Sequence, residues 1–242
     1  MRLIQIVFLS ILFSCNTKQD AGNSIDKSEK VEISIPQNQK VESSTTEILE
    51  TFVDSSNIGN KGFCKIELIK HRVYDDNFVI IKFYIERVNN WYLENTYSYE
   101  TNAEMDFQPN ISDFNNDKFN DITFISGTAA RGANEVRRLF IYDDDNQKLI
   151  SIVNSQDYPN LEFNTLLNCI DAFMIHGGST TEFARIAGDS LKTFASVENN
   201  VDYHIVYTYD KMGNYKELYK VPSKDVYVRH KNYKPLIEYT DK

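Results

Sequence analysis

Val201-Asp-Tyr203-His-Ile205-Val-Tyr207-Thr-Tyr209 alternates bulky apolar or aromatic residues with other types over its whole length. That is the period of a pleated strand, in which successive side chains point to opposite faces. The reading places Val201, Tyr203, Ile205, Tyr207 and Tyr209 on one face. At strand spacing such a stripe is expected to be core, with its hydroxyls at the edge, rather than a recognition surface.

The same pattern spreads outward from this segment. Asn214–Val221 follows it, and Leu166–Ile175, Thr181–Ile186 and Leu191–Val197 precede it. The punctuation between them is Gly177-Gly178, Gly188-Asp189, Asn199-Asn200 and Lys211-Met212-Gly213. Further upstream come Ile122–Ser126, Val136–Tyr142 and Lys148–Val153, the last after the turn run Asp143-Asp144-Asp145-Asn146.

Nearer the N-terminus, Phe63–Ile69 turns Cys64, Ile66 and Leu68 one way. Val79, Ile81, Phe83 and Ile85 share a face of the next strand, so the two form a hairpin about Asp75-Asp76-Asn77. Trp91–Tyr99 puts Trp91, Leu93, Tyr97 and Tyr99 on one side, and Glu104–Phe107 reads as a short strand ended by Pro109. The whole predicts an all-β antiparallel meander, β-propeller-like or sandwich-like, as a single domain over residues 61–222. Composition agrees, since 15 Tyr and 15 Phe against 9 Gly and 5 Pro suit half-buried strands.

The formal charge of -9 disfavours nucleic acid, whose phosphates need a concentrated basic face. Residues 1–15 carry one positive charge, a short apolar run, a small residue and then cysteine. They resemble a bacterial lipoprotein signal peptide with Leu12-Phe13-Ser14-Cys15 as its lipobox, Phe13 being bulkier than usual there. That resemblance implies lipidation at Cys15, a membrane anchor, and a bacterial cell-envelope location, periplasmic or on the outer-membrane surface. Residues 16–60 are polar, with Phe52 as their one aromatic, and read as a flexible tether. Residues 223–242 carry Lys224, Arg229, His230, Lys231 and Lys234 and read as a loosely packed basic tail. Export would let Cys64 and Cys169 form a disulfide, or leave them as two separate buried thiols.

The chemistry-bearing stretch is Asp113-Phe-Asn115-Asn-Asp117-Lys-Phe119-Asn-Asp121. Calcium takes six to eight oxygens, and a tight turn supplies them from alternate side chains plus one carbonyl. Asp113, Asn115 and Asp117 hold the alternate positions, Phe119 would give its carbonyl, and Asp121 would ligate directly or through water. Lys118 stands where an EF-hand prefers Gly, and Phe124 where it places its bidentate Glu, so this is a different calcium turn.

The loop resembles the calcium turn of FG-GAP and VCBS-type β-propeller repeats. Together with Gly127 to Gly132, Leu139-Phe-Ile-Tyr-Asp143, Gly177-Gly178, Tyr207-Thr-Tyr-Asp210 and Gly213, it resembles the XAC2610-like bacterial lipoproteins across roughly residues 100 to 220. The resemblance implies a β-propeller-like domain with bound calcium, acting as an immunity protein that inhibits a lysozyme-like peptidoglycan hydrolase or effector. Some lysozyme inhibitors insert a Ser-Gly-x-x-Tyr loop. Here Ser126-Gly127 is followed by Thr128 and Ala129, and Ala130 stands in place of the Tyr.

Arg131 in the same loop is the side chain expected to reach a partner's carboxylates, with Ser126 and Gly127 beside it. A phosphate cradle is a poor reading of this loop, which lacks the Gly-Lys-Ser/Thr ending. The four histidines show no zinc spacing and no nucleophile elbow is present, so the expectation is a binding protein rather than an enzyme. The alternative is a surface lipoprotein that binds glycan or protein in an uptake complex through its aromatic-rich strands.

Overall fold

In the computed structural model, which describes residues 46–102 and 105–240, every sheet is antiparallel and assembled from chain neighbours. The first sheet holds β1 (Glu47–Asp54), β2 (Cys64–Val73), β3 (Asp76–Arg87) and β4 (Asn90–Glu100) in that order. The second holds β5 (Asn110–Ser112), β6 (Asp121–Ala129), β7 (Asn134–Asp143) and β8 (Lys148–Ser151). The third runs from β9 (Glu162–Asn164) through β10 (Cys169–Ile175), β11 (Ser179–Ala187), β12 (Ser190–Asn199) and β13 (Tyr203–Tyr209) to β14 (Tyr215–Pro222). A last hairpin pairs β15 (His230–Tyr233) with β16 (Leu236–Glu238).

The layers follow from the two-residue period. In β2 and β3 the pairs Leu68↔Ile81 and Ile66↔Phe83 put apolar side chains on one face. These pack against Ile122, Phe124, Phe140 and Tyr142 of the second sheet. The neighbours of those last two, Leu139 and Ile141, point the other way and join Ile170, Ala184 and Leu191 of the third sheet. Strand β7 is therefore covered on both faces, and its Leu139-Phe-Ile-Tyr142 run is continuous rather than alternating for that reason. Each such side chain contributes about 1.5–3 kcal/mol by leaving water. A third cluster, with Phe183, Val197 and Val206, is capped by Tyr233 and Leu236 of the last hairpin. The sheets stack as in a sandwich and do not close into a barrel.

Several expectations are corrected. The stretch read as tether up to residue 60 contains β1, which pairs along β2 from Glu47↔Arg72 to Asp54↔Ile66. The segment containing Phe107 forms no strand: the Phe107 carbonyl takes the Ile125 N–H at 2.7 Å, but side chains hold the rest of it. Glu50 accepts the Phe107 N–H at 3.0 Å, and Lys70 donates to the Met105 carbonyl. In β4 a bulge beside Phe83/Tyr84 turns Tyr97 and Tyr99 toward Ile81 and Val79 while Trp91 pairs with Glu86, so the four aromatic and aliphatic residues split between faces.

The tyrosine stripe of β13 is also reversed. His204 and Val206 are buried, whereas Tyr203 is 38% exposed, so the tyrosines line the outer face. Finally, the segment read as a loose tail is docked. His230 is fully buried, and Arg229 is paired with Glu162 at 2.9 Å and with Asp171.

Candidate functional site

The acidic stretch forms the turn between β5 and β6, and its carboxylates are spent first on its own amides. Asp113 accepts N–H groups from Asn115 (3.3 Å), Asp117 (3.2 Å) and Lys118 (2.8 Å), and Asp117 accepts that of Phe119 at 2.8 Å. These Asx-type bonds let the chain coil tightly. The tightness is visible in Asn116 and Lys118, which have φ of 62° and 82°. For Lys118 the left-handed conformation costs roughly 1–2 kcal/mol, as its L-configuration demands.

Asp121 closes the turn from the inside. It is fully buried, taking the Phe114 N–H at 2.7 Å and the Tyr142 N–H at 2.8 Å, one on each oxygen. Burial pushes its carboxyl up to about 8; the two amides oppose the shift, and the nearby Asp117 and Asp113 charges add to it. Among the described residues, no three His, Cys, Asp or Glu side chains converge at metal-ligating distance. The donor chemistry nevertheless suits a hard cation. Side-chain oxygens of Asp113, Asn115 and Asp117 and the Phe119 carbonyl lie in one turn above a buried carboxylate burdened by two like charges, and a divalent ion there would relieve that repulsion.

The expected contact residues sit at the far end of β6. At about 3.3 Å per residue Ser126 and Gly127 lie roughly 17–20 Å from Asp121 and the end of β6 at Ala129 roughly 26 Å, so turn and loop are separate features. Ser126 is held in the sheet: its hydroxyl donates to the Val136 carbonyl at 3.2 Å, and its own carbonyl accepts from the Asn102 N–H and the Thr101 hydroxyl, both at 3.1 Å. Gly127 lies at a register shift in the β6–β7 pairing. Arg131 is exposed at the hairpin tip, a single 3-10 turn over Ala130–Gly132. Ala130, Arg131 and Gly132 have φ of 49°, 58° and 93° in succession.

Among the described residues, two of the clefts beside these features bring charged groups together. Beside the hairpin tip lies one of about 490 Å³, with Asn160, Arg137 and Arg229 among its lining residues. Its arginines are already committed, Arg137 to Glu135 at 3.1 Å and Arg229 to Glu162 and Asp171. The other, of about 380 Å³, joins Asn115 and Asp117 of the turn to Asp143, Asp144 and Asp145 over a floor that includes Tyr142. Asp143–Asp145 is a turn run in the sequence, and only the β7–β8 hairpin brings it beside the acidic turn. Cys64 and Cys169 are free buried thiols in different apolar clusters. Cys15 lies outside the described residues.

Fold and site together define a layered antiparallel β protein with an acid-lined turn at one end of its central sheet and an exposed arginine-bearing hairpin at the other. No family profile matches the chain, and no curated protein matches it. Among solved structures, one described as a Xanthomonas type IV secretion system related protein is similar to it at 9% identity. That likeness covers 69% of this chain and 93% of the other, with a TM-score of 0.45. At such a distance it bears on neither family nor activity.

Proposed function

We propose that this is a lipid-anchored envelope binding protein that grips a calcium ion in its 113–121 turn and engages a protein partner with the β6–β7 hairpin tip. The observation that carries the reading is the tip itself. Two consecutive non-glycine residues, Ala130 and Arg131, are held in the left-handed region and exposed. Strain of roughly 1–3 kcal/mol per residue persists where the surrounding structure presents a side chain for use.

An exposed guanidinium on a stiff hairpin suits a carboxylate-lined cleft, where a bidentate pair is strong and directional. The catalytic carboxylates of a lysozyme-like cell-wall hydrolase provide such a cleft, and inhibition of that class of enzyme is the function proposed. Calcium would stiffen the turn at the other end of β6, and Cys15 would carry the lipid. The protein's own role is binding, not catalysis.

A second reading has its own support. Tyr203, Ile205, Tyr207, Tyr209 and Tyr215 share the outer face of β13 and β14, a surface that would suit a glycan or protein in an uptake complex. Pull-down from envelope extract separates the two. Capture of a muramidase that fails with Arg131→Glu but survives Tyr207→Ser supports the first, and the opposite pattern overturns it.

A further inference from the structure

His204 and His230 are far apart in the sequence, yet they meet on one buried amide. Asn199 is fully buried, and its Nδ2 donates to Ser179 Oγ at 2.9 Å and to the Val228 carbonyl at 2.7 Å. Those two acceptors fix the orientation of the amide. Asn199 Oδ1 must then face the imidazoles, accepting from His204 Nδ1 at 2.5 Å and from His230 Nε2 at 3.0 Å. Each ring therefore carries its proton on the nitrogen that points at Asn199.

The rest of the segment is tied to the same hub. Ser179 Oγ donates to the Val226 carbonyl at 2.7 Å, and the His230 N–H donates to Thr181 Oγ1 at 3.0 Å. Beyond it, Tyr233 and Leu236 cover Phe183 and Val206. On neutral His230 one nitrogen is left over: Nδ1 is buried with no hydrogen-bond partner. The two rings stand edge to face, 5.0 Å apart between centroids.

We propose that this hub makes residues 226–239 an acid-releasable strap over the β11–β13 face, one that opens locally as imidazole protonation disrupts the Asn199 arrangement. A proton on His230 can enter at Nδ1 alone, where it places a charge and a donor in a site without an acceptor. Burial accordingly holds this imidazole down to about 4, with His204 adding to the effect. His204 is also held below the ordinary range by burial, although Glu238 and Asp225 pull it the other way.

Glu238 is the cross-strand partner of His230, but it is exposed and its charge acts on His204 rather than on the buried His230 ring. Ser179 and Thr181 of β11 and Asn199 of β12 do not titrate. Arg229 is engaged by Asp171 and Glu162. Opening returns the imidazole to water and its ordinary affinity for protons, so acid drives opening.

The test is hydrogen–deuterium exchange of the full chain at pH 7.5 and 4.5, corrected for intrinsic exchange. Protection over 230–238 should fall on the order of 50-fold between these pH values, from His230 alone, while β2 and β3 keep theirs. His230→Gln retains a donor toward Asn199 Oδ1 without titrating and should cut the acid response to a few-fold. Should that variant fail to fold, His204→Gln, which removes the neighbouring charge, should reduce the response part-way. Three outcomes overturn the strap: protection over 230–238 that is indifferent to pH, loss in step with β2 and β3, or an undiminished acid response in the variant.

Discussion

The ammonium of Lys70, in the middle of β2, lies 2.9 Å from Glu50 Oε2 on β1, with the lysine side chain 2% exposed and the glutamate 28%. The same carboxylate accepts the Phe107 N–H, and the ammonium also reaches the Met105 carbonyl and lies 4.7 Å from the centre of the Phe107 ring. One ion pair thus fastens the first strand and the segment entering the second sheet. Lys70→Ala should destabilise the domain by about 2–4 kcal/mol, because it strands a half-buried carboxylate. Urea unfolding measures this, and a change below about 0.5 kcal/mol would show the pair to be worth no more than a surface bridge.

Calcium at the acidic turn predicts a metal-dependent melting temperature. Free ion at a hundred times its dissociation constant would add about 2.7 kcal/mol of stability, and a chelator would remove it. Asp117→Ala should abolish the response. Equal melting of the natural chain with calcium and with chelator would sink the ion.

Relief of strain at the hairpin tip should separate stability from binding. Glycine adopts left-handed φ freely, so Arg131→Gly should raise stability by about 0.5–1 kcal/mol while weakening partner capture. A gain in stability with capture unchanged would place the contact elsewhere.

Thiol chemistry offers an independent check on the cores. Burial pushes the Cys169 thiol up to about 12 and raises that of Cys64 as well. Because the thiolate is the reactive form, neither should react with a disulfide reagent at pH 8 in the folded domain, and both should do so in urea. Rapid labelling of folded protein at either position would contradict the burial described.

Strands were legible because alternation is a local signal, and β2 and β3 carry it plainly. Which face of β13 is covered was not. The stripe holding Tyr203 and Tyr207 is bulkier than the one holding His204 and Val206, yet the latter lies inside because residues far down the chain return to cover it. Alternation names two faces without saying which one another element will occupy. The acidic turn was readable for a similar local reason, since an Asp bonds amides two to five residues ahead. The Asn199 hub depends on register between β11, β12 and β13 and on a returning hairpin, and no short pattern encodes that. β1 was missed because it carries no clean alternation: Ile48 and Val53 are exposed while Glu50 and Asp54 are half-buried.

The double coverage of β7 makes its two clusters share a wall. Removing the first sheet would bare Phe140 and Tyr142, and removing the third would bare Leu139 and Ile141. Neither cluster can come apart without weakening the other, so the slowest-exchanging amides should lie along β7 and report opening of the whole layered body. Asp121, bonded to the Tyr142 amide at one end of that strand, and the hairpin tip at the other are then joined by the stiffest segment of the molecule.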